Sequence, residues 1–243
     1  MKELEKLKRL PPYVFTEVNR IKDAARAKGN DIIDFGMGNP DIPTPKHIVE
    51  KLIETSQDTK MHRYSASRGI TGLRKANAKY YERRFNVKLD YDKEIIATIG
   101  SKEGLANMAQ VLACPGDTIL VPNPAYPIHA FGFIINDADL IHYNVNSQID
   151  LMTEISSKVE GSKKDIKAMI LNFPSNPTAE ICSLDFYKEI VGDKHLADLA
   201  AWHISSKDYI ADTLKLQQRF SRNLILDFGG GIGTHALANA MST

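Results

Sequence analysis

Cysteine is scarce in this chain: Cys114 and Cys182 are the two thiols among 243 residues. They form no C-x-x-C group, so neither a disulfide framework nor a zinc ligand set is expected, and both should be reduced. The seven histidines show no H-x-x-x-H pair, so no metal site is expected either. No apolar run approaches the roughly eighteen residues that would suggest a membrane span. The opening MKELEKLKRL is charged throughout, unlike a secretory signal. A surplus of one charge is also missing. With 31 Lys and Arg against 30 Asp and Glu, interspersed to a net +1, no electrostatic feature favours nucleic acid or anionic lipid as a partner. What remains is a cytoplasmic α/β protein.

Helix and strand signals alternate along most of the chain. YVFTEVNRIKDAARAKG carries a helical stripe at Val14, Val18, Ile21 and Ala25, closed by Gly29. DIIDFGMG reads as a short strand. TPKHIVEKLIETS reads as a helix capped by Thr44, with Pro45 first and Ile48, Leu52 and Ile53 inward. TGLRKANAKYYERRF is a helix with Leu73, Ala76, Tyr80 and Phe85 near its buried side. EIIATIG, DTILVPN, ADLIHYNV and IKAMILNF read as strands, separated by the helices SKEGLANMAQVLA, YPIHAFGFI and MTEISSKVE; Ser183 caps a further helix, SLDFYKEIV. This alternation predicts a mainly parallel sheet covered on both faces. Beyond Val191 the texture changes. GDKHLADLAAWHISSKDYIADTLKLQQRF reads as two successive helices without a strand, followed by the strand and glycine turn of NLILDFGGGIG and the start of a helix. The composition shift predicts two domains, residues 1–191 and 192–243.

Several loops fall where strands end, the usual place for ligands in α/β sheets. Gly100 permits a tight turn before Ser101, Lys102 and Glu103 open a helix, whose N-terminal amides and dipole suit a phosphate. In NPAYP, prolines bracket Tyr126, an aromatic placed to stack on a flat ring or simply to be half buried. In NFPSNPTA, Asn176 sits between prolines, as turn chemistry or as a fixed amide.

In order, FGMGNPDIPTP, HRYSASRGITGLR, GSKEGLANM, PNPAYP and NFPSNPT resemble the motifs of the class I/II, fold-type I aminotransferases, nearest the alanine and diaminopimelate branch, over Leu10 to Val191. The resemblance implies part of that family's three-layer αβα large domain, with pyridoxal 5′-phosphate as cofactor and an amino acid and a 2-oxo acid as substrates. It implies that Gly38 offers its backbone to the substrate carboxylate. Tyr64 would reach the cofactor phosphate of a neighbouring subunit in a homodimer. The turn of Gly100, Ser101 and Lys102 would hold the phosphate, Tyr126 would stack on the pyridine ring, and Asn176 would bond its phenolic oxygen.

The family also requires a lysine that binds the cofactor covalently and an acid beside the ring nitrogen. After Asn176 the sequence holds Lys188, Lys194, Lys207 and Lys215. Ser205, Ser206 and Lys207 superficially resemble the family's serine–lysine pair, but no glycine and arginine follow within two helical turns. Asp208 falls near the aspartate position by count, without a preceding apolar strand. No catalytic residue is therefore assigned, and activity of this chain alone is not expected.

DFGGGIG spells D-x-G-x-G-x-G, and Thr234 stands where a dinucleotide G-x-G-x-x-G would need glycine. Residues His195 to Thr243 resemble the start of an S-adenosylmethionine-dependent methyltransferase, an incomplete Rossmann-like segment. That resemblance implies S-adenosylmethionine at Asp227, Gly229, Gly231 and Gly233. Three functional readings follow: an aminotransferase segment, a methyltransferase fragment, and a non-catalytic remnant that binds cofactor or dimerises.

Overall fold

The computed structural model describes residues 5–36, 42–64, 66–146, 148–192, 200–204 and 235–237. Its packing separates two units: Leu10–Ser65, and Met1–Arg9 together with Ala66–Thr243.

The smaller unit carries α2 (Val14–Ala27), α3 (Lys46–Gln57) and a 3₁₀ turn at Thr59–His62. Neither helix buries a residue fully, and Val14, Ile21, Leu52 and Ile53 are exposed. The inward placement expected of Leu52 and Ile53 is thus corrected. α3 begins one residue later than expected, with Pro45 at its cap position and no side-chain cap bond. Residues 31–35 are not the expected strand. A strand needs a partner for its backbone groups. This stretch is instead tied by its side chains: Lys22 Nζ meets Asp34 Oδ2 at 2.6 Å, and Gly36 N–H donates to Asp34 Oδ1 at 2.8 Å.

The larger unit opens with α1 (Glu5–Lys8) and continues through α4 (Thr71–Phe85), β1 (Ile95–Ala97), α5 (Ser101–Leu112), β2 (Thr118–Asn123) and α6 (Pro127–Ile135). It proceeds through β3 (Asp139–Asn144), α7 (Leu151–Glu160), β4 (Ile166–Phe173) and α8 (Leu184–Gly192) to β5 (Ala200–Ile204) and β6 (His235–Leu237). Four strands form a parallel sheet in the order β3-β2-β4-β5.

Alternate residues of the central strands enter different cores. Ile119, Val121, Ala168 and Ile170 join Leu105, Ala109 and Phe133 from α5 and α6. Leu120, Met169 and Leu171 join Tyr81, Phe85, Ile155, Phe186, Tyr187 and Ile190 from α4, α7 and α8. The expected αβα layering is therefore present: α5 and α6 cover one face, and α4, α7 and α8 the other. Burial on both faces explains why β2 and β4 read as nearly unbroken apolar runs rather than alternating ones.

Two expectations for the last part of the chain are corrected. Ala200–Ile204 was expected within a helix but pairs parallel with β4, from Met169↔Ala200 to Phe173↔Ile204. The edge of β4 offers backbone partners along the whole segment, and such pairing overrides local helical propensity. His235–Leu237 was expected to open a helix but lies antiparallel on β1, with Ile95 opposite Leu237.

α4 corrects a further expectation. Its buried positions are Arg74, Asn77, Tyr81 and Phe85, whereas Leu73 and Tyr80 are exposed. Arg74 turns the helix by binding carbonyls: it donates to Tyr91 O at 2.6 Å and Gly69 O at 3.2 Å, and pairs with Asp92 at 3.0 Å. The guanidinium of Arg74, aided by Arg68, holds the Asp92 carboxyl below its usual range. Gly69, at φ +81°, belongs to the loop so anchored; a Cβ there would come within 2.4 Å of Ala97 Cβ. The close approach lets Ala97 N–H donate to Arg68 C=O at 3.1 Å, fastening the loop to β1.

The corrected face of α4 sets an expectation. Tyr81→Ala should lower unfolding free energy by about 3 kcal/mol, as for other buried aromatics. Leu73→Ala should change it by less than about 1 kcal/mol. Denaturant titration of both variants checks this, and equal losses would contradict it.

Candidate active site

β2 and β4 are parallel neighbours, so the loops that leave their carboxyl ends emerge at the same end of the sheet. The loop after β2 runs through Asn123–Pro124 to Tyr126, and the loop after β4 runs through Phe173–Pro174 to Asn176–Pro177; all three X-Pro bonds are cis. The second loop is closed by its own backbone. Ser175 N–H donates to Glu180 C=O and Ala179 N–H donates to Ser175 C=O, both at 2.7 Å. Asn176 is exposed at its tip, while Ser175 is buried.

The third component follows β1. Gly100, at φ +89° and ψ 151°, occupies the cap position of α5, where an L side chain would be strained. Thr98 Oγ1 donates to Gly100 C=O at 3.1 Å, and Gly104 N–H donates to the same carbonyl at 3.2 Å. Ser101 and Lys102 form the first turn of α5, at the positive end of its dipole.

This turn and the first loop meet. Lys102 Nζ lies over the Tyr126 ring, 5.3 Å from its centroid. Tyr126 is half buried, caps α6, and packs edge-on against the buried His129 at 6.0 Å and 77°. α5 and α6 pack together at Gly132, where an added Cβ would sit in ordinary van der Waals contact with Ala109 Cβ at 3.5 Å. Glycine turn, lysine and tyrosine thus form one local arrangement. An anion-ready helix end stands next to an aromatic ring.

Tyr64 is fully exposed within the smaller unit. Gly38, Asp227, Gly229, Gly231 and Gly233 lie outside the described residues, as does Lys207. Among the described residues no group of three or more His, Cys, Asp or Glu could hold a metal ion, and no helix is long and apolar enough to cross a membrane.

Sequence reasoning placed Glu103 at the opening of the helix but missed the bond it makes. Its carboxylate reaches back over the turn and accepts the backbone N–H of Ile99. The available signal was an acid in the first helical turn, a common feature that gives no hint of the loop bond it makes.

A sequence profile described as "Aminotransferase class I and II" matches residues 30–197. AatC of Rhizobium meliloti (strain 1021) is 53% identical over 206 residues, covering 82% of this chain and 51% of that protein. AlaC of Escherichia coli (strain K12), a glutamate-pyruvate aminotransferase, is 42% identical over 228 residues, covering 92% of this chain and 55% of that one. The substrate-bound structure of BacF from Bacillus subtilis superposes with a TM-score of 0.80 at 26% identity, over 98% of this chain and 64% of that one. The chain belongs to the class I and II aminotransferase family. It spans about half the length of the curated relatives it matches.

The cysteines supply a check on the electrostatics around this end of the sheet. Burial pushes the Cys182 thiol up to about 12, against the opposing hydrogen bond from Tyr187. Cys182 also lines a cavity of about 520 Å³ with Phe173, Ile181 and Phe186, so a small reagent has a route to it. At pH 8 only about one Cys182 in ten thousand is then thiolate, the reactive form. Iodoacetamide at that pH should label the exposed Cys114 and leave Cys182 intact by peptide mass spectrometry. Labelling of Cys182 should begin only as pH rises toward 12, and equal labelling at pH 8 would contradict this assignment.

Proposed function

We propose that this chain forms the cofactor-phosphate and ring-binding part of a pyridoxal-phosphate-dependent aminotransferase. The whole protein moves an amino group between an amino acid and a 2-oxo acid, in the alanine/diaminopimelate manner. The observation that carries this reading is the contact between Lys102 and Tyr126 beside the glycine turn that opens α5. The donor set fits the cofactor: backbone amides at the positive end of a helix and an ammonium suit a phosphate, and a half-buried aromatic suits a planar heterocycle.

On this reading the amides of the Ser101–Lys102 turn bind the phosphate, and Gly100 allows the chain to turn away without a side chain in the way. Tyr126 holds the ring on the face that Lys102 does not cover, and Asn176 donates its amide hydrogen to the phenolic oxygen. Tyr64 completes the phosphate site of a partner in a homodimer, and the Gly38 backbone receives the substrate carboxylate. When bound, pyridoxal phosphate supplies an electron sink next to the substrate carbon. This sequence presents no lysine in the family's covalent setting, so the function assigned to residues 1–191 is binding and orientation. Amino transfer is assigned to the whole protein.

Pyridoxamine 5′-phosphate carries no aldehyde and cannot link to stray lysines, which makes it the appropriate probe. Equilibrium dialysis should show saturable binding that Tyr126→Ala weakens by roughly fivefold to tenfold, the worth of one aromatic stacking contact. The absence of saturable binding would overturn the reading.

A second reading rests on the D-x-G-x-G-x-G spacing alone: S-adenosylmethionine bound at Asp227, Gly229, Gly231 and Gly233, within residues 192–243. It requires S-adenosylmethionine to raise the melting temperature of the chain, and Gly231→Val to abolish the rise. If the melting temperature does not move, that reading is removed. A third reading, a remnant that pairs with a related subunit around Tyr64, requires heterodimers with an intact relative that Tyr64→Ala weakens.

A further inference from the structure

We infer that Glu103 is the residue that holds the α5 turn in the conformation able to receive the cofactor phosphate, an inference that rests on the proposal above for that turn. A carboxylate in the first helical turn has two opposite consequences for such a site. As a bare charge it repels a phosphate bound at the same helix end, and its removal should tighten binding. As a hydrogen-bond acceptor it can fix the backbone, and its removal should loosen the site.

The geometry favours the second consequence. The Glu103 carboxylate is not directed at the space in front of the helix; it is engaged by the N–H of Ile99, the residue before the glycine turn. Ile99 itself is 91% exposed, so its side chain makes no packing contact that would hold it in place. The turn between β1 and α5 is secured by polar ties instead. Thr98 Oγ1 binds Gly100 C=O at 3.1 Å from one side, and Glu103 binds Ile99 N–H from the other. Gly100 is the weak link, since its φ of +89° is one of many it could adopt and nothing lies within 4 Å of where a Cβ would be. Without the Glu103 tie, the residues before Ser101 regain conformational freedom that phosphate binding must then remove.

Glu103 is therefore a positioning residue: it acts through the backbone of Ile99 and Gly100, and is not itself a ligand of the phosphate. Its hydrogen bond also draws the carboxylate back along the turn, so its charge is partly neutralised by the donor it holds.

The test compares binding of pyridoxamine 5′-phosphate with binding of pyridoxamine, which lacks the phosphate, by equilibrium dialysis on the full chain. Glu103→Ala should weaken the phosphorylated ligand by about tenfold, the scale of a lost helix-terminal cap, and leave pyridoxamine unchanged. Glu103→Asp, one methylene too short to span the turn, should show the same selective loss. Glu103→Gln keeps an acceptor oxygen for Ile99 N–H and should retain the phosphorylated ligand within about twofold. Selective weakening in Ala and Asp with retention in Gln supports the inference. Tighter binding of the phosphorylated ligand in both Ala and Gln would show that charge repulsion dominates and would overturn it. Equal weakening of both ligands would reduce Glu103 to a general stability role and would also overturn it. If one variant fails to fold by circular dichroism, the remaining two still give the sign of the effect. Wild-type chain that binds neither ligand would overturn the underlying proposal as well, whereas wild-type binding unaffected in Ala and Asp would overturn only the role of Glu103.

Discussion

The pairing of β2 with β4, buried on both faces, is the constraint on which the rest depends. With Ile119, Leu120, Val121, Met169 and Leu171 all inaccessible, the backbone between them has no water to bind and must close its hydrogen bonds within the sheet. Polar chemistry is thereby excluded from the middle of the sheet and appears where the strands end. Tyr126 and Asn176 stand beyond those ends, and their loops share one end of the sheet because the strands are parallel neighbours.

The larger unit is fastened there by a few polar contacts rather than by apolar packing. Arg74 is a buried cation on a helix face, stabilised because carbonyls of Gly69 and Tyr91 and the carboxylate of Asp92 accept from it. Gly69 permits the loop to touch β1 at Ala97, and Glu103 and Thr98 brace the turn that follows β1. Apart from the pair of Arg74 with the Asp92 carboxylate, each contact acts on backbone atoms. Such ties determine where amides point, which matters for a site that would bind an anion through main-chain N–H groups. The contact of Lys102 with the Tyr126 ring connects two of the motif loops in this chain.

Much of the fold was readable in advance where one signal dominated. Long apolar runs such as TILVP and AMILNF, bounded by turn residues, fall in β2 and β4, and Ser183 does cap its helix, accepting Phe186 N–H at 3.1 Å. The readings failed where pairing or a buried charge outweighed local character. Ala200–Ile204 has helix-forming neighbours, but the open edge of β4 recruits it. Residues 31–35 have strand composition and no strand partner among the described residues. On α4, hydrophobicity pointed to Leu73 and Tyr80, and the satisfied guanidinium of Arg74 turned the helix the other way.

For the candidate site, the sequence by itself determined which residue types stand in the loops: glycine before a helix, a lysine in its first turn, a tyrosine between prolines, an asparagine between prolines. These follow from local chain chemistry, since glycine and proline restrict or release the backbone wherever they occur. Only the tertiary structure decided that Lys102 lies on the Tyr126 ring. The order β3-β2-β4-β5 was likewise decided there. Those outcomes depend on which strands pair and which helices share a face, and both are set by contacts between segments far apart in the chain.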